Sequence, residues 1–175
     1  MITAKDVEDV LIYSPETGVF IWKEKNANDM PDLRLRNAWN TKFAGKVAGR
    51  SSGGGYIQLL VKGKYCYAHR VAWLLMTGSW PEKYIDHINR RKTDNRLLNL
   101  REATQAENLR NTKMHSDNMS GVKGVSWYPR DKLWRARLSK DGKQVYLKYF
   151  KNIEDAERAV ISERKKLHGE FSCNA

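Results

Sequence analysis

Four side chains near the middle of the chain have the types and spacing for phosphodiester chemistry. Asp86 and His87 are adjacent, Asn99 follows across a polar basic loop, and Asn108 completes the set. A phosphodiester resists hydrolysis because the nucleophile approaches a negative charge and the departing alkoxide is a poor leaving group. A divalent cation answers both problems by neutralising phosphate oxygens and the charge developing on the leaving oxygen. Hard cations such as Mg²⁺ prefer oxygen ligands and keep several waters, so one carboxylate and one amide carbonyl are sufficient protein ligands. Asp86 and Asn108 are that pair. A neutral imidazole, with an ordinary pKa of about 6.5, is suited to taking a proton from water near neutrality, which makes His87 the candidate general base. Its ring must be held by one nitrogen so that the other points at water, and the carbonyl of Asn99 is the candidate orienter.

The elements that must position these residues are legible around them. On a strand, neighbours point to opposite faces, so Asp86 and His87 can serve different partners if the backbone turns there. Thr104-Gln105-Ala106-Glu107 is a capping box, which sets Asn108 in the first turn or so of a helix. Upstream, Tyr56–Val61 and Tyr65–Tyr67 predict a hairpin across Lys62-Gly63-Lys64, and Ala68–Thr77 predicts a helix stopped by Gly78. His69, at the start of that helix, either approaches the catalytic cluster or serves as a hydrogen-bonded structural histidine. Nearer the N-terminus, Thr3 and Asp6 open a helix whose stripe is Val7, Val10 and Leu11. A turn at 14–18 and a strand at 19–22 follow. Residues 23–45 carry no clear periodicity, although Leu33, Leu35 and Trp39 are expected to cover part of the core. Ser51-Ser52-Gly53-Gly54-Gly55 lacks the Gly-Lys-Ser/Thr ending of a phosphate loop and reads as a turn.

Composition narrows the partner. A net charge of +12 points to a polyanion partner, and nucleic acid is the expected one. The excess is concentrated around the motif, since residues 34–113 hold 16 Lys/Arg against 5 Asp/Glu. Arg90, Arg91, Lys92 and Arg96, in the loop between His87 and Asn99, are candidates to hold phosphates. No apolar run approaches the ~20 residues of a membrane span, and the N-terminus opens no signal peptide. Cys66 and Cys173 stand without a C-x-x-C spacing, so neither a structural zinc site nor a disulfide framework is expected, and a cytoplasmic setting fits.

After a polar linker the composition changes to that of a small sheet and a helix. Gly124–Tyr128, Leu133–Lys140 and Lys143–Tyr149 predict strands, with Asp141-Gly142 as a tight turn. Asn152 is the expected cap of a helix to about Leu167, in which Ala156, Ala159, Val160 and Leu167 share a face. Trp134, Ala136 and Leu138 alternate with Arg135, Arg137 and Ser139. The helix packs on the first set and leaves the arginines open, joined by Tyr146 and Lys148, with Tyr128 and Arg130 beside them. A three-stranded ribbon fits a major groove about 12 Å wide, where Arg pairs with guanine edges.

The central motif, Asp86-His87, Asp94-Asn95-Arg96, Asn99-Leu100-Arg101 and Asn108, resembles the HNH (ββα-metal) endonucleases, and among them the homing type of phages and introns. The resemblance covers residues 1–112 and includes Ala-His-Arg-Val-Ala-Trp at 68–73. It implies His87 as general base, Asn99 as its orienter, and Asp86 and Asn108 as ligands of Mg²⁺ or Mn²⁺. Asn108 stands where many members have His, which makes the ligand set oxygen-only and argues against Zn²⁺. The C-terminal part, with Gly124-Val125-Ser126-Trp127, Trp134-Arg135-Ala136-Arg137-Leu138, Val145-Tyr146-Leu147, Phe150 and Ala156, is similar to the Apetala/ethylene-response-factor DNA-binding domain over about 120–170. That similarity implies that Ser126, Tyr128, Arg130, Arg135, Arg137, Gln144, Tyr146 and Lys148 face DNA. Ser126 and Tyr128 stand where plant members place arginines, which shifts weight from base reading to phosphate contact.

The expected architecture is α+β: a ββα-metal nuclease domain over 1–112, a linker at 113–119, and a three-stranded antiparallel sheet packed on one helix over 120–175. The expected activity is site-specific, metal-dependent cleavage of double-stranded DNA by a homing-type endonuclease, a monomer or weak dimer, leaving 5′-phosphate and 3′-hydroxyl ends. If phage-encoded, it would work in the host cytoplasm. The alternative is a non-catalytic, sequence-specific DNA-binding regulator on the same scaffold; RNA binding through the sheet aromatics ranks below both.

Overall fold

Alternating apolar residues at 57–61 and 64–67 form the hairpin their pattern demands, and the rest of the N-terminal unit is assembled on it. The computed structural model describes residues 1–112, 114, 117–140 and 142–172, with the side chain of Glu170 left aside. The expected turn residue Asp141, Cys173, and the linker positions Lys113, His115 and Ser116 lie outside the described residues. The chain divides into two compact units, Met1–Glu102 and Ala103–Ala175. Both are mixtures of helices and small sheets, an α+β arrangement.

The first unit begins with helix α1 (Ala4–Glu8), closed by a reciprocal capping box between Thr3 and Asp6. Leu11 was expected to continue that helix. Instead it opens strand β1 (Leu11–Ser14), which pairs antiparallel with β2 (Val19–Trp22). Leu-Ile-Tyr-Ser is a better strand than helix sequence, and pairing with Val-Phe-Ile-Trp rewards it. Helix α2 (Leu33–Phe43) occupies the stretch without clear periodicity. It buries no residue, and Leu33 and Leu35 are 60% exposed, contrary to the expected core role. Only Trp39 of that trio packs inward, edge-on to Trp22 at 5.8 Å between ring centroids. Strand β3 (Arg50–Ser51) then pairs with β4 (Ile57–Val61), which pairs with β5 (Lys64–Tyr67).

Helix α3 (Ala68–Thr77) follows β5 directly and ends at Gly78, whose φ of 78° supplies the left-handed cap. Its Val71, Ala72 and Leu74 join Val7, Leu11, Phe20, Leu59 and Val61 in one core. Each fully buried Leu or Val contributes roughly 1.5–3 kcal/mol on leaving water. Strand β6 (Tyr84–His87) adds Ile85 to that core and forms a two-stranded sheet with β7 (Leu100–Ala103).

The second unit opens with helix α4 (Gln105–Arg110), which carries the predicted capping box between Thr104 and Glu107. Strands β8 (Val125–Tyr128), β9 (Leu133–Lys140) and β10 (Lys143–Phe150) form an antiparallel sheet in the order β10-β9-β8. Helix α5 (Ile153–His168) covers one face, and Val125, Ala136, Leu138, Ala156 and Val160 make the core between them. Asn152 occupies the N-cap position of α5 without the expected side-chain hydrogen bond. Glu154 and Asp155 in the first turn, and Lys165 and Lys166 in the last, complement the helix dipole.

One turn of the first unit bears on the motif. Gly18, between β1 and β2, has φ 73°, and a Cβ there would stand 2.4 Å from the backbone nitrogen of Arg96 and 2.6 Å from the carbonyl carbon of Asn95. The amide of Leu97 donates to Pro15 O and the Tyr13 hydroxyl donates to Asn95 O at 2.8 Å. The N-terminal hairpin is thus pressed against the loop preceding Asn99. Gly18→Ala should lose roughly 1–3 kcal/mol from backbone conformation alone, with displacement of the 95–97 backbone added, a loss that urea unfolding measures directly.

Candidate active site

Asp86 and His87 end β6, and both are buried, at 4% and 5% exposure. The chain then leaves the sheet through a loop and returns through a 3-10 turn at Leu97–Asn99 into β7. This loop is held by side chains. Asn99 Oδ1 accepts from the Asn89 amide at 2.9 Å, and Asn99 Nδ2 donates to Asp94 O at 2.8 Å. The Ile88 amide donates to Asn99 O, and Asn89 Nδ2 donates to Asp94 Oδ2 at 2.6 Å. Arg96 donates to both oxygens of Asp94, from Nε at 2.8 Å and from Nη2 at 2.7 Å. The Arg96 guanidinium holds the Asp94 carboxyl well down, at about 2.

Those bonds reassign one predicted role. Asn99 was expected to hold the His87 ring, but its amide is spent on the loop backbone on both sides. The ring contact comes from Asn95, whose Oδ1 lies 3.3 Å from His87 Nε2. Asn95 is itself buried, and its Nδ2 reaches Thr93 O. With the ring proton on Nε2 and donated to Asn95, the lone pair sits on Nδ1. Burial pushes the His87 pKa down, the Asn95 hydrogen bond working against it.

Asp86 has a partner that its spacing did not announce. Arg101 donates to Asp86 Oδ2 from Nε at 2.9 Å and from Nη2 at 2.8 Å. Once β6 and β7 are neighbours, a buried carboxylate on one strand needs a counter-charge on the other, and Arg101 is the cation in reach. Asn108 lies half-buried on α4, in the second unit. Among the described residues no three His, Cys, Asp or Glu side chains converge. The chemistry of a carboxylate and an amide oxygen suits a hard divalent ion that takes its remaining ligands from water and phosphate, as Mg²⁺ does.

His69, the first-turn histidine of α3, comes to His87. The two rings lie 5.0 Å apart at 77°, and His69 stacks on Tyr67 at 5.5 Å and 16°. Tyr56 closes the group, 5.2 Å from His69 and 5.9 Å from His87. His69 is 6% exposed, and its Nδ1 is buried with no hydrogen-bond partner among the described residues. A stranded group of this kind costs about 1–3 kcal/mol. At Nδ1, then, His69 lacks the hydrogen bond expected of a structural histidine. No sequence signal marked Tyr56 and Tyr67 as its neighbours, because only the β4–β5 pairing brings them there.

Of the loop cations, Lys92 donates to Gly54 O at 3.0 Å and lies over the Tyr56 ring, and Arg96 is held by Asp94. Arg91 is exposed, and Arg90 takes a positive φ of 62° at the loop's bend. In the second unit the open face of the sheet differs from expectation. Register places Ser126 opposite Arg135, Leu147 opposite Arg137, and Tyr149 opposite Arg135. Arg135 donates to Ser126 Oγ at 3.2 Å, and Tyr128 and Tyr149 lie 5.4 Å apart. Gln144 opposes Ser139 on this same face, but an irregularity between Gln144 and Tyr146 then reverses the alternation. Tyr146 therefore opposes Leu138 and packs on the core beside α5, and Lys148 opposes Ala136. Leu147 and Tyr149 take the places expected for them. Arg130 is exposed in the β8–β9 turn, 3.6 Å from Asp131.

Residues 66–110 match a family model described as HNH endonuclease, a span running from β5 to the end of α4. The chain is also similar to Protein 3.8 of Escherichia phage T7, with 33% identity over 105 residues, covering 59% of this chain and 86% of that protein. No solved structure matches it significantly.

Burial makes a pH prediction. It pushes the His69 pKa down to about 3, with His87 and Arg70 adding repulsion, from an ordinary 6.5. As the pH falls from about 6.5 toward about 3, the unfolded chain takes up a proton that the folded chain refuses, so stability declines on acidification. His69→Phe removes that contribution. Its thermal midpoint should fall less between pH 7 and pH 4 than that of the wild type, and should equal or exceed the wild-type value at pH 7.

Proposed function

Because the chain belongs to the family of phage T7 Protein 3.8 and carries an HNH endonuclease domain, we propose that it is a divalent-metal-dependent DNA endonuclease of the homing type, with His87 as its general base. The observation that carries this reading is that the matched span contains the buried Asp86-His87 pair and the loop that Asn99 fastens.

In this reading β6, β7 and α4 are the ββα-metal element, and Asp86 and Asn108 hold Mg²⁺ or Mn²⁺. The bound ion supplies neutralisation of the phosphate and of the departing oxygen. His87 takes a proton from the attacking water on Nδ1 while Asn95 accepts from Nε2. Arg101 orients Asp86 through its two hydrogen bonds to Oδ2. Water attacks in line, the 3′ oxygen departs, and the ends are 5′-phosphate and 3′-hydroxyl. Arg91, with Arg90, Lys92 and Arg96, lies along the phosphates. The partner is double-stranded DNA, cut by a monomer or weak dimer. Among the described residues no helix is long and apolar enough to cross a membrane, and the reading puts the protein at work in a host cytoplasm.

The domains on this reading are the nuclease over 1–112, a linker at 113–119, and from 120 a domain like that of Apetala/ethylene-response factors, which recognises the site. Its DNA face is Ser126, Tyr128, Arg135, Arg137 and Gln144, with Arg130 at the rim, and Leu147 and Tyr149 in place of Tyr146 and Lys148.

One observation favours a second reading. The Arg101 fork on Asp86 Oδ2 is also what a scaffold that binds DNA without cutting it would keep. Cleavage of DNA from the protein's own genomic neighbourhood, with Mg²⁺ or Mn²⁺, separates the two. His87→Ala should slow cleavage by at least about 10²-fold, Asp86→Ala should abolish it, and chelator should stop it while binding persists. No cleavage by the wild type under either metal leaves the binding scaffold as the reading.

Duplex binding in gel-shift titrations tests the sheet. Tyr149→Ala and Arg135→Ala should each weaken it about tenfold, since an exposed contact is worth about 1–3 kcal/mol, whereas Tyr146→Phe should bind as the wild type does.

A further inference from the structure

We propose that His69 is a positioning residue for His87, setting the angle at which the candidate base presents Nδ1 to water. The inference rests on the reading of His87 as the base. Three observations lead to it, all within the first unit. The two rings are in edge-to-face contact at 5.0 Å and 77°. His69 is fixed from behind by stacking on Tyr67 and from the side by Tyr56, so it has little freedom to follow His87. Its Nδ1 is buried and unpartnered among the described residues.

The third observation decides what kind of role this is. If the position existed only to fill space between Tyr56, Tyr67 and His87, phenylalanine would do so with no nitrogen to strand. If it existed to carry charge, the ring would not stand neutral in an aromatic cage, where burial holds its pKa far below neutrality. What imidazole has and phenylalanine lacks is a polarised N–H edge. A ring N–H edge turned to the electron-rich face of a second ring holds that ring at a set angle. His87 is then held in the ring plane by Asn95 through Nε2, and across the plane by His69, with Tyr56 alongside. A hydrogen bond to Asn95 by itself leaves the ring free to turn about the Nε2–Oδ1 line, and the His69 contact opposes that turn. The base is ready before water arrives, and the fold accepts a stranded nitrogen as the cost.

The experiment compares His69→Phe, His69→Gln, His69→Ala and His87→Ala with the wild type. Supercoiled plasmid carrying the protein's own genomic neighbourhood is cleaved with Mn²⁺, kcat and KM are taken separately, and thermal midpoints are read for each protein. His69→Phe should keep or raise the midpoint, leave KM unchanged, and lower kcat about tenfold, a part of the roughly 10²–10⁴ that general acid–base catalysis supplies. His69→Gln, which restores an N–H near the same place, should recover part of the lost kcat. In the wild type, ¹⁵N shifts of the His87 ring at neutral pH should report one tautomer, with the proton on Nε2, and His69→Phe should move them toward a mixture. If His87→Ala is inactive while His69→Phe cuts at the wild-type kcat, this inference falls and the base assignment stands. If His87→Ala cuts as the wild type does, the base assignment itself falls. Should His69→Phe fail to fold, a mixed tautomer in the wild type, or His69→Gln no better than His69→Ala, overturns the proposal on its own.

Discussion

Every arrangement around Asp86 and His87 depends on how the loop between β6 and β7 satisfies its backbone without forming regular structure. Much of the stretch 88–99 is exposed, but Asn95 and Asn99 turn inward and are buried, and a buried amide or carbonyl must find a partner. Side-chain amides do that work. Asn99 reaches in both directions, to the Asn89 amide and the Asp94 carbonyl, and Asp94 is pinned in turn by Asn89 and Arg96. The loop becomes a rigid strap over the end of β6, with the Tyr13 hydroxyl and the Gly18 turn pressing on it from outside. His87 is held because Asn95 is held.

The electrostatics of the site follow from the same enclosure. A carboxylate as buried as Asp86 cannot stand alone, and Arg101 meets it across the two strands. That pairing aims the carboxylate, and any cation that bound there would have to share Asp86 with a guanidinium already in place. Burial favours the neutral forms of the two histidines, the form a proton acceptor requires. The cluster sets a paired carboxylate beside buried imidazoles by giving each a different neighbour.

In the second unit a single extra residue in β10 has the largest consequence. The side chains of a strand alternate, and one inserted residue exchanges the two faces beyond it. Tyr146, which simple counting assigns to the open face, is carried into the core against α5, and Tyr149 is brought out beside Tyr128 and Arg135. The open face keeps its arginines and carries Leu147 and Tyr149 where simple counting puts Tyr146 and Lys148.

The sequence by itself determined the features that depend on neighbours along the chain. The capping box at Thr104 and Glu107, the α3 stripe ending at Gly78, the β4–β5 hairpin, the alternation of Leu133–Lys140 and the Asp86-His87 pair are all local, and local preferences are strong enough to specify them. Tertiary structure alone decided which of several equivalent groups met. Three asparagines crowd one short loop, and the backbone path takes Asn95 to His87 and leaves Asn99 bonded to the loop itself. The Asp86–Arg101 pair and the His69–His87 contact join residues far apart in the chain, and the irregularity in β10 arises from pairing with β9. None of these has a period or a spacing of its own, because each is fixed by packing between elements and not by the order of residues within one.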